Sequence, residues 1–215
     1  MDDLRFKLFG FSVTVQPAFL GLLLIYALFS LQRQEPLYAL ISWSTVVFVS
    51  ILIHELGHAF AARAFRRRVH GIFLHGFGGH VTHSGGGAAT HDLAISLAGP
   101  GAGLALGLAT YLVAPYLPYD AVTATVVNDL LWINIFWSLV NLLPMMPLDG
   151  GNALRSGLSI PFTRYKATRW ASMVGAGIGA LLALWGFSNG SLFIGLIGGF
   201  AAYHNYTLLQ QHGGL

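Results

Sequence analysis

The sequence predicts an all-α polytopic membrane protein of about six transmembrane helices, with a short membrane-associated β-hairpin or strand segment after the second. Three observations carry that expectation. Of 215 residues, 55% are apolar and only 9% are charged, against about 25% charged in an ordinary soluble domain. A soluble fold of this composition would lack polar surface to cover itself. The apolar residues also gather into six stretches, each near the ~20 residues a helix needs to cross hydrocarbon at ~1.5 Å per residue. Finally, the cationic residues sort to one face when those stretches are threaded back and forth through a bilayer.

The spans are expected near Val13 to Leu31, Leu37 to Ala62, Leu93 to Pro115, Val122 to Leu148, Trp170 to Phe187 and Leu192 to Leu209. All six are read as helices, because a helix satisfies its own backbone hydrogen bonds where water is absent. His204 and Asn205 interrupt the apolar character of the last one. Between the second and third lies Gly71 to Thr90, where Ile72 to Val81 mixes β-branched and aromatic residues with glycine. That composition reads as extended strands or a hairpin, followed by a flexible turn at Ser84 to Gly87. The whole is expected to form a single membrane-embedded domain over 1–215, with a core at 37–151 and flanking spans at 13–31, 170–187 and 192–209.

With the amino terminus in the cytoplasm, six crossings place Arg5, Lys7, Arg63, Arg66, Arg67, Arg68, Arg155, Arg164, Lys166 and Arg169 on the cytoplasmic side and only Arg33 outside. The positive-inside rule therefore favours both termini in the cytoplasm of a cell (inner) membrane, and an odd number of spans would spoil the partition. The net charge of +3 is read as orientation and not as a nucleic-acid footprint, since the cations flank apolar segments. No small-residue cleavage site follows the first apolar run, so it is read as a span and not as a cleaved signal peptide. Cysteine is absent, which excludes a disulfide scaffold and a thiolate nucleophile and leaves nitrogen and oxygen as metal donors.

The second span contains Ile53-His54-Glu55-Leu56-Gly57-His58, an H-E-x-x-H pattern. Residues four apart share a helix face, so both imidazoles can reach one tetrahedral ion while Glu55, one position round, reaches a water on it. With nine His and two Glu in the chain, chance would supply about 0.004 such patterns. Reading the three as ordinary bundle polars fails on energy, because a carboxylate at membrane depth costs roughly 2.5 to 3.5 kcal/mol and no cation lies within a turn of Glu55. A divalent ion offsets that cost. His58 lies five residues before Arg63, which sets the ion about 8 to 14 Å inside the cytoplasmic interface, with water admitted from that side.

Two histidines leave a zinc site one protein ligand short, and Asp149 is the best remaining candidate. It ends the run Asn141-Leu142-Leu143-Pro144-Met145-Met146-Pro147-Leu148-Asp149-Gly150-Gly151. There two prolines interrupt the helix and two glycines permit a tight turn, which can point a carboxylate inward. Asp149 as a helix N-cap is the alternative.

The H-E-L-G-H of the second span, Ser96-Leu97-Ala98-Gly99-Pro100 of the third and the Asn141 to Gly151 run of the fourth occur in that order. Together they resemble the site-2 protease family of intramembrane metalloproteases, over Leu37 to Gly151. The resemblance implies that three spans form a catalytic core, that His54, His58 and Asp149 bind one Zn2+ per chain, and that Glu55 is the general base. It implies as substrates the transmembrane helices of other, single-span proteins, cut in or near the lipid bilayer. By the same resemblance Asn141 faces the site and holds the substrate carbonyl or developing oxyanion, with Pro144 beside it; bonding of Asn141 to a carbonyl freed near Pro144 is the alternative. The Gly71 to His83 segment would receive an unwound substrate by strand addition, Gly78 and Gly79 allowing close backbone approach. Two positions depart from the family pattern: Met146, where members often have proline, and Gly103, where they often have asparagine.

Other readings remain at this level. His75, His80 and His83 could hold a second metal or stand as solvated interfacial histidines. The Arg63 to Arg68 cluster reads as a lipid-headgroup anchor or a substrate reader. Gly175, Gly177 and Gly179 are spaced for close helix contact with the core or with a second copy. The metal-binding residues would also suit a membrane metal-ion transporter, although the fifth span offers only Ser172 as a polar side chain. A non-proteolytic metal-binding membrane protein would have no need of Glu55.

Overall fold

The computed structural model describes residues 3–76 and 78–211. Phe77, inside the segment expected to be extended, lies outside the described residues, as do the two first and four last positions. Four strands are present among the described residues, β1 (Leu4–Leu8), β2 (Phe11–Val15), β3 (Arg68–His75) and β4 (Gly78–Ser84). Seven helices accompany them among the described residues: α1 (Pro17–Gln32), α2 (Leu37–Ala64), α3 (Ala89–Val113), α4 (Ala121–Asn141), α5 (Asp149–Leu158), α6 (Arg164–Ser188) and α7 (Leu192–Gln211). Of these α2, α3 with the turn that follows it, α4, α6 and α7 are long and apolar enough to cross a membrane, and α1 is a shorter apolar helix. The expected hairpin after the second span is β3 and β4.

Three boundaries differ from expectation. Val13 to Val15, read as the start of the first span, form the end of β2. Their β-branched pattern suits a strand, and Pro17, which lacks an N–H to donate, opens α1 one residue later. The fourth span stops at Asn141, and the chain runs irregularly through both prolines. Asp149, Gly150 and Gly151 then begin a separate helix, α5, and not a tight turn; its N-cap is Leu148 with extended backbone, so Asp149 is the first helical residue and not the cap.

The chain divides into two compact units, Met1–Gly86 with Ala98–Ser138, and Gly87–Leu97 with Leu139–Leu215. In the first, the sheet order is β1-β2-β3-β4, with β1/β2 and β3/β4 antiparallel and β2/β3 parallel. Phe9 and Gly10 join β1 to β2 at positive φ, 50° and 83°, the two-residue turn whose twist matches the strands. Val13 pairs with Ile72 and Val15 with Leu74. Alternation along a strand puts these four on one face, where Ile51, Leu52, Leu56 and Ala59 of α2 cover them together with Phe19. Arg63 fixes the hairpin to α2: its guanidinium lies 4.4 Å from the Phe11 ring and 4.9 Å from the Phe60 ring, and Nη1 donates to the Phe9 carbonyl at 3.1 Å. Arg63 is thus occupied in structure, whichever part its neighbours play at the headgroups.

Small residues bring the helices of this unit together. A Cβ on Gly57 of α2 would collide with the Ala98 carbonyl of α3, and one on Gly103 of α3 with Ser138 Oγ of α4. Gly103, the departure from the family pattern, therefore serves a close helix approach.

In the second unit α6 and α7 form an antiparallel pair. Gly179 meets the backbone of Ala202, Gly186 that of Gly195, and Gly175 the side chain of Asn205, whereas Gly177 has nothing within 4 Å. Of the three glycines expected to mediate contact, two do so within the chain. Asn205, fully buried, is the polar tie: Nδ2 donates to Met146 O at 2.7 Å and to Ala201 O at 2.8 Å, while Oδ1 accepts from Met146 N–H at 3.2 Å. Gly150 and Gly151 pack under the same irregular segment, against Leu142 and Met145 backbone respectively. Glycine in a helix is unfavourable by propensity, and here it is required because any side chain would push that segment away.

Candidate metal centre

His54, Glu55 and His58 occupy the last third of α2, each at most 8% exposed. Their burial follows from the local sequence: Leu52 and Leu56 on the same helix face the sheet, while Gly57 admits α3. The histidine rings stand with Nε2 atoms 3.3 Å apart and planes inclined at 77°. Two nitrogen donors bound at 2.0–2.1 Å to one tetrahedral zinc would be about 3.3 to 3.4 Å apart. The pair therefore has the separation of two ligands on one ion. Ligating atoms of His54, His58 and Asp149 all lie within 4.8 Å of one another, giving an N2O donor set suited to zinc. Among the described residues no other group of three His, Asp or Glu is so placed.

The pocket around these side chains is shaped by glycines. A Cβ on Gly99 of α3 would run into the His58 ring, with Cε1 at 2.6 Å. One on Gly79 of β4 would stand 2.7 Å from Glu55 Oε1. Gly79 pairs with Leu74, so its backbone is carried to the carboxylate by a strand paired to a fully buried residue of β3. Gly78, at φ +126°, has the indole of Trp137 at 3.3 Å from its would-be Cβ. Neither Gly99 nor Trp137 was expected to line the site. Their signal in the sequence is thin: a small residue beside a proline in a span, and one of five tryptophans. Asn141 is the last residue of α4 and Pro144 stands in the break before α5, both half-buried.

The remaining histidines are arranged differently. His80 stacks on Phe73 at 5.2 Å between centroids, with His75 at the same distance. His83, three residues from His80 on one strand, belongs to the opposite face. Those three do not form a metal cluster. His80 lies outside the spans, and partial burial, followed by the neighbouring His75, holds its pKa below the usual imidazole value.

No family model matches the chain. Zinc metalloprotease MJ0392 of Methanocaldococcus jannaschii is 25% identical over 197 residues, which cover 89% of this chain and 56% of that protein. The protein sll0528 of Synechocystis sp., which carries a zinc-metalloprotease name, is 33% identical over 219 residues, covering 96% of this chain and 58% of the relative. Stage IV sporulation protein FB of Bacillus subtilis is 36% identical over 106 residues, 48% of this chain and 36% of that protein. The chain thus spans about half the length of the curated relatives it matches. Among solved structures, Site-2 Protease from Methanocaldococcus jannaschii aligns with a TM-score of 0.69 at 23% identity, over 97% of this chain and 95% of that one. A likeness at that identity establishes a shared fold.

Proposed function

We propose that this chain, which belongs to the site-2 protease family of zinc metalloproteases, hydrolyses peptide bonds in or near the transmembrane segments of other membrane proteins. The observation that carries the reading is the 3.3 Å separation of the two imidazole nitrogens on one buried helix, with a carboxylate joining them to complete a zinc donor set.

His54, His58 and Asp149 would hold one ion per chain. When bound, zinc acidifies its water toward a pKa of ~7 and polarises a carbonyl. Glu55 accepts the proton of the attacking water on a carboxylate oxygen and delivers it to the leaving amine. Its burial at 4% exposure keeps bulk water from competing for that proton.

Single-span proteins are the proposed substrates. A helical peptide bond resists attack, because its carbonyl is engaged and its backbone sheathed by side chains. β4 lies at the edge of the sheet, and an unwound segment can add to it by main-chain pairing. Gly78 and Gly79 would leave room for that backbone, and Asn141 with Pro144 would hold the carbonyl to be cut. We place both chain ends and the mouth of the site on the cytoplasmic face of a cell (inner) membrane, following the cations.

The test is cleavage of a single-span substrate with helix-weakening residues, co-reconstituted in liposomes, with and without chelator. Cleavage that stops with chelator and returns with zinc supports the reading. Zinc-loaded protein that cuts no such substrate, or cutting indifferent to chelator, ends it.

A further inference from the structure

Residues 42, 46, 50, 54 and 58 recur every four positions along α2 and so follow one slowly turning face. Ser42, Val46, Ser50, His54 and His58 are all buried. α4 faces this line with polar groups of its own. Ser42 Oγ donates to Asp129 Oδ2 at 2.6 Å, and eight residues further on Asn134 Nδ2 donates to Ser50 Oγ at 2.9 Å. The other proton of that amide goes to Leu130 O, also at 2.9 Å.

Both N–H bonds of Asn134 are thereby used inside the protein. Its carbonyl oxygen is not: Oδ1 has no hydrogen-bond partner among the described residues, in a side chain only 2% exposed. In native proteins a buried acceptor is nearly always paired, with protein or with ordered water. Here the bundle supplies no donor. A water needs two to four polar partners, and besides Asn134 Oδ1 there are Ser50 Oγ and, one turn further along α4, Ser138 Oγ at 1% exposure. Gly103 and Gly107 present α3 to this part of α4 without side chains, Gly103 opposite Ser138 and Gly107 opposite Asn134 and Ile135.

We propose that Asn134, with Ser50 and Ser138, binds an internal water molecule one helical turn along α2 from His54, and that this site supplies hydrolytic water to the metal centre. Val46, 5% exposed, fills the turn between Ser50 and Ser42. The binding of water stands on the geometry alone; the supply role rests on the proteolytic reading.

The experiment is radiolytic hydroxyl labelling in H2 18O, which marks side chains beside bound water, on zinc-loaded wild type, Asn134→Leu and Ser50→Ala. Label is expected in the 130–138 segment of the wild type, and expected to be lost in Asn134→Leu with zinc content unchanged. Turnover of that variant should fall about tenfold at constant KM. Ser50→Ala removes a single hydroxyl and should lower both readouts in the same direction, which keeps the test valid if Asn134→Leu misfolds. No label in the wild type, or label indifferent to both substitutions, overturns the water site. Lost label with full turnover overturns the supply role. Label that depends on Asn134 in a wild type that cuts no substrate supports the site and removes only the proteolytic reading.

Discussion

Gly79 of β4 lies against Glu55 of α2, so closely that a Cβ on the glycine would stand 2.5 Å from Glu55 Cγ. Carbon atoms settle no nearer than about 3.5 Å, so Gly79→Ala must displace either the carboxylate or the strand. A base moved by an ångström costs about 10²-fold in rate. Turnover should drop by that order while zinc content stays at wild type. Gly86, with nothing within 4 Å, provides the Gly→Ala control just past the end of β4. Equal turnover for Gly79→Ala and wild type would detach β4 from the chemistry.

The roles proposed for the carboxylates separate in a metal assay. Glu55→Gln keeps the shape and removes the basic oxygen, so zinc should remain while cleavage falls by about 10² to 10⁴. Asp149→Ala removes a ligand, and zinc stoichiometry itself should fall, as it should for His54→Ala. Metal analysis of purified protein beside a cleavage assay reads both. Full zinc occupancy in Asp149→Ala would break the ligand assignment.

That His54 and His58 face one another is legible in the sequence, because a spacing of four encodes a shared helix face. The break at Pro144 and Pro147 is legible for an equally local reason: proline denies the helix a donor. Less local facts were hidden. Leu4 to Val15 forms a hairpin, but the apolar Val13 to Val15 run continues into an apolar helix, and periodicity alone does not divide them. Gly150 and Gly151 look like a turn by propensity, and tertiary contact with Leu142 and Met145 makes them helical. The polar Asn205, which interrupts the last span, marks a tie whose partner lies 59 residues away and leaves no local trace.

That tie yields a stability prediction. Asn205 satisfies both backbone groups of the buried Met146, and each buried polar group left unpaired costs about 1 to 3 kcal/mol. Asn205→Leu should therefore destabilise the fold by about 2 to 4 kcal/mol. Because Met146 stands three residues before Asp149, zinc affinity should fall with it. Unfolding in mixed detergent and zinc competition titrations measure the two effects. A Leu variant with unchanged stability would show that Met146 finds other partners.

His80 sets a pH dependence with a definite sign. Its folded pKa lies below the usual imidazole value of about 6.5 through partial burial and the adjacent His75, so on acidification the unfolded chain takes up the proton first. Stability then declines as pH drops from 6.5 through the folded pKa and levels off below it. His80→Gln should flatten that part of the curve while leaving stability near pH 8 unaltered, about where imidazole is neutral in both states. Melting temperatures of the two proteins across this range provide the check. A slope that persists in His80→Gln would move the effect to another group.

α1, at 16 residues, rises only about 24 Å, against about 30 Å of hydrocarbon. The order of the sheet nonetheless leads us to expect that it crosses. α1 leaves the sheet directly after β2, and α2 returns to the same sheet directly before β3, so the connection at 33–36 is expected across the membrane from the one at 65–67. Length is no obstacle, because the sheet packs beside Ile51 to Ala59. From Leu37 to Leu52, where α2 reaches the sheet, the rise is about 22 Å, close to that of α1. The apolar face of the sheet is therefore expected just inside the membrane–water interface, where α2 covers it, with the edge strand β4 reached by water. Single cysteines introduced at Gln34 and at Arg66 of this cysteine-free chain should react with an impermeant thiol reagent from opposite sides of sealed vesicles. Labelling of both from one side would remove α1 from the count of crossings, and with it the partition of the cations.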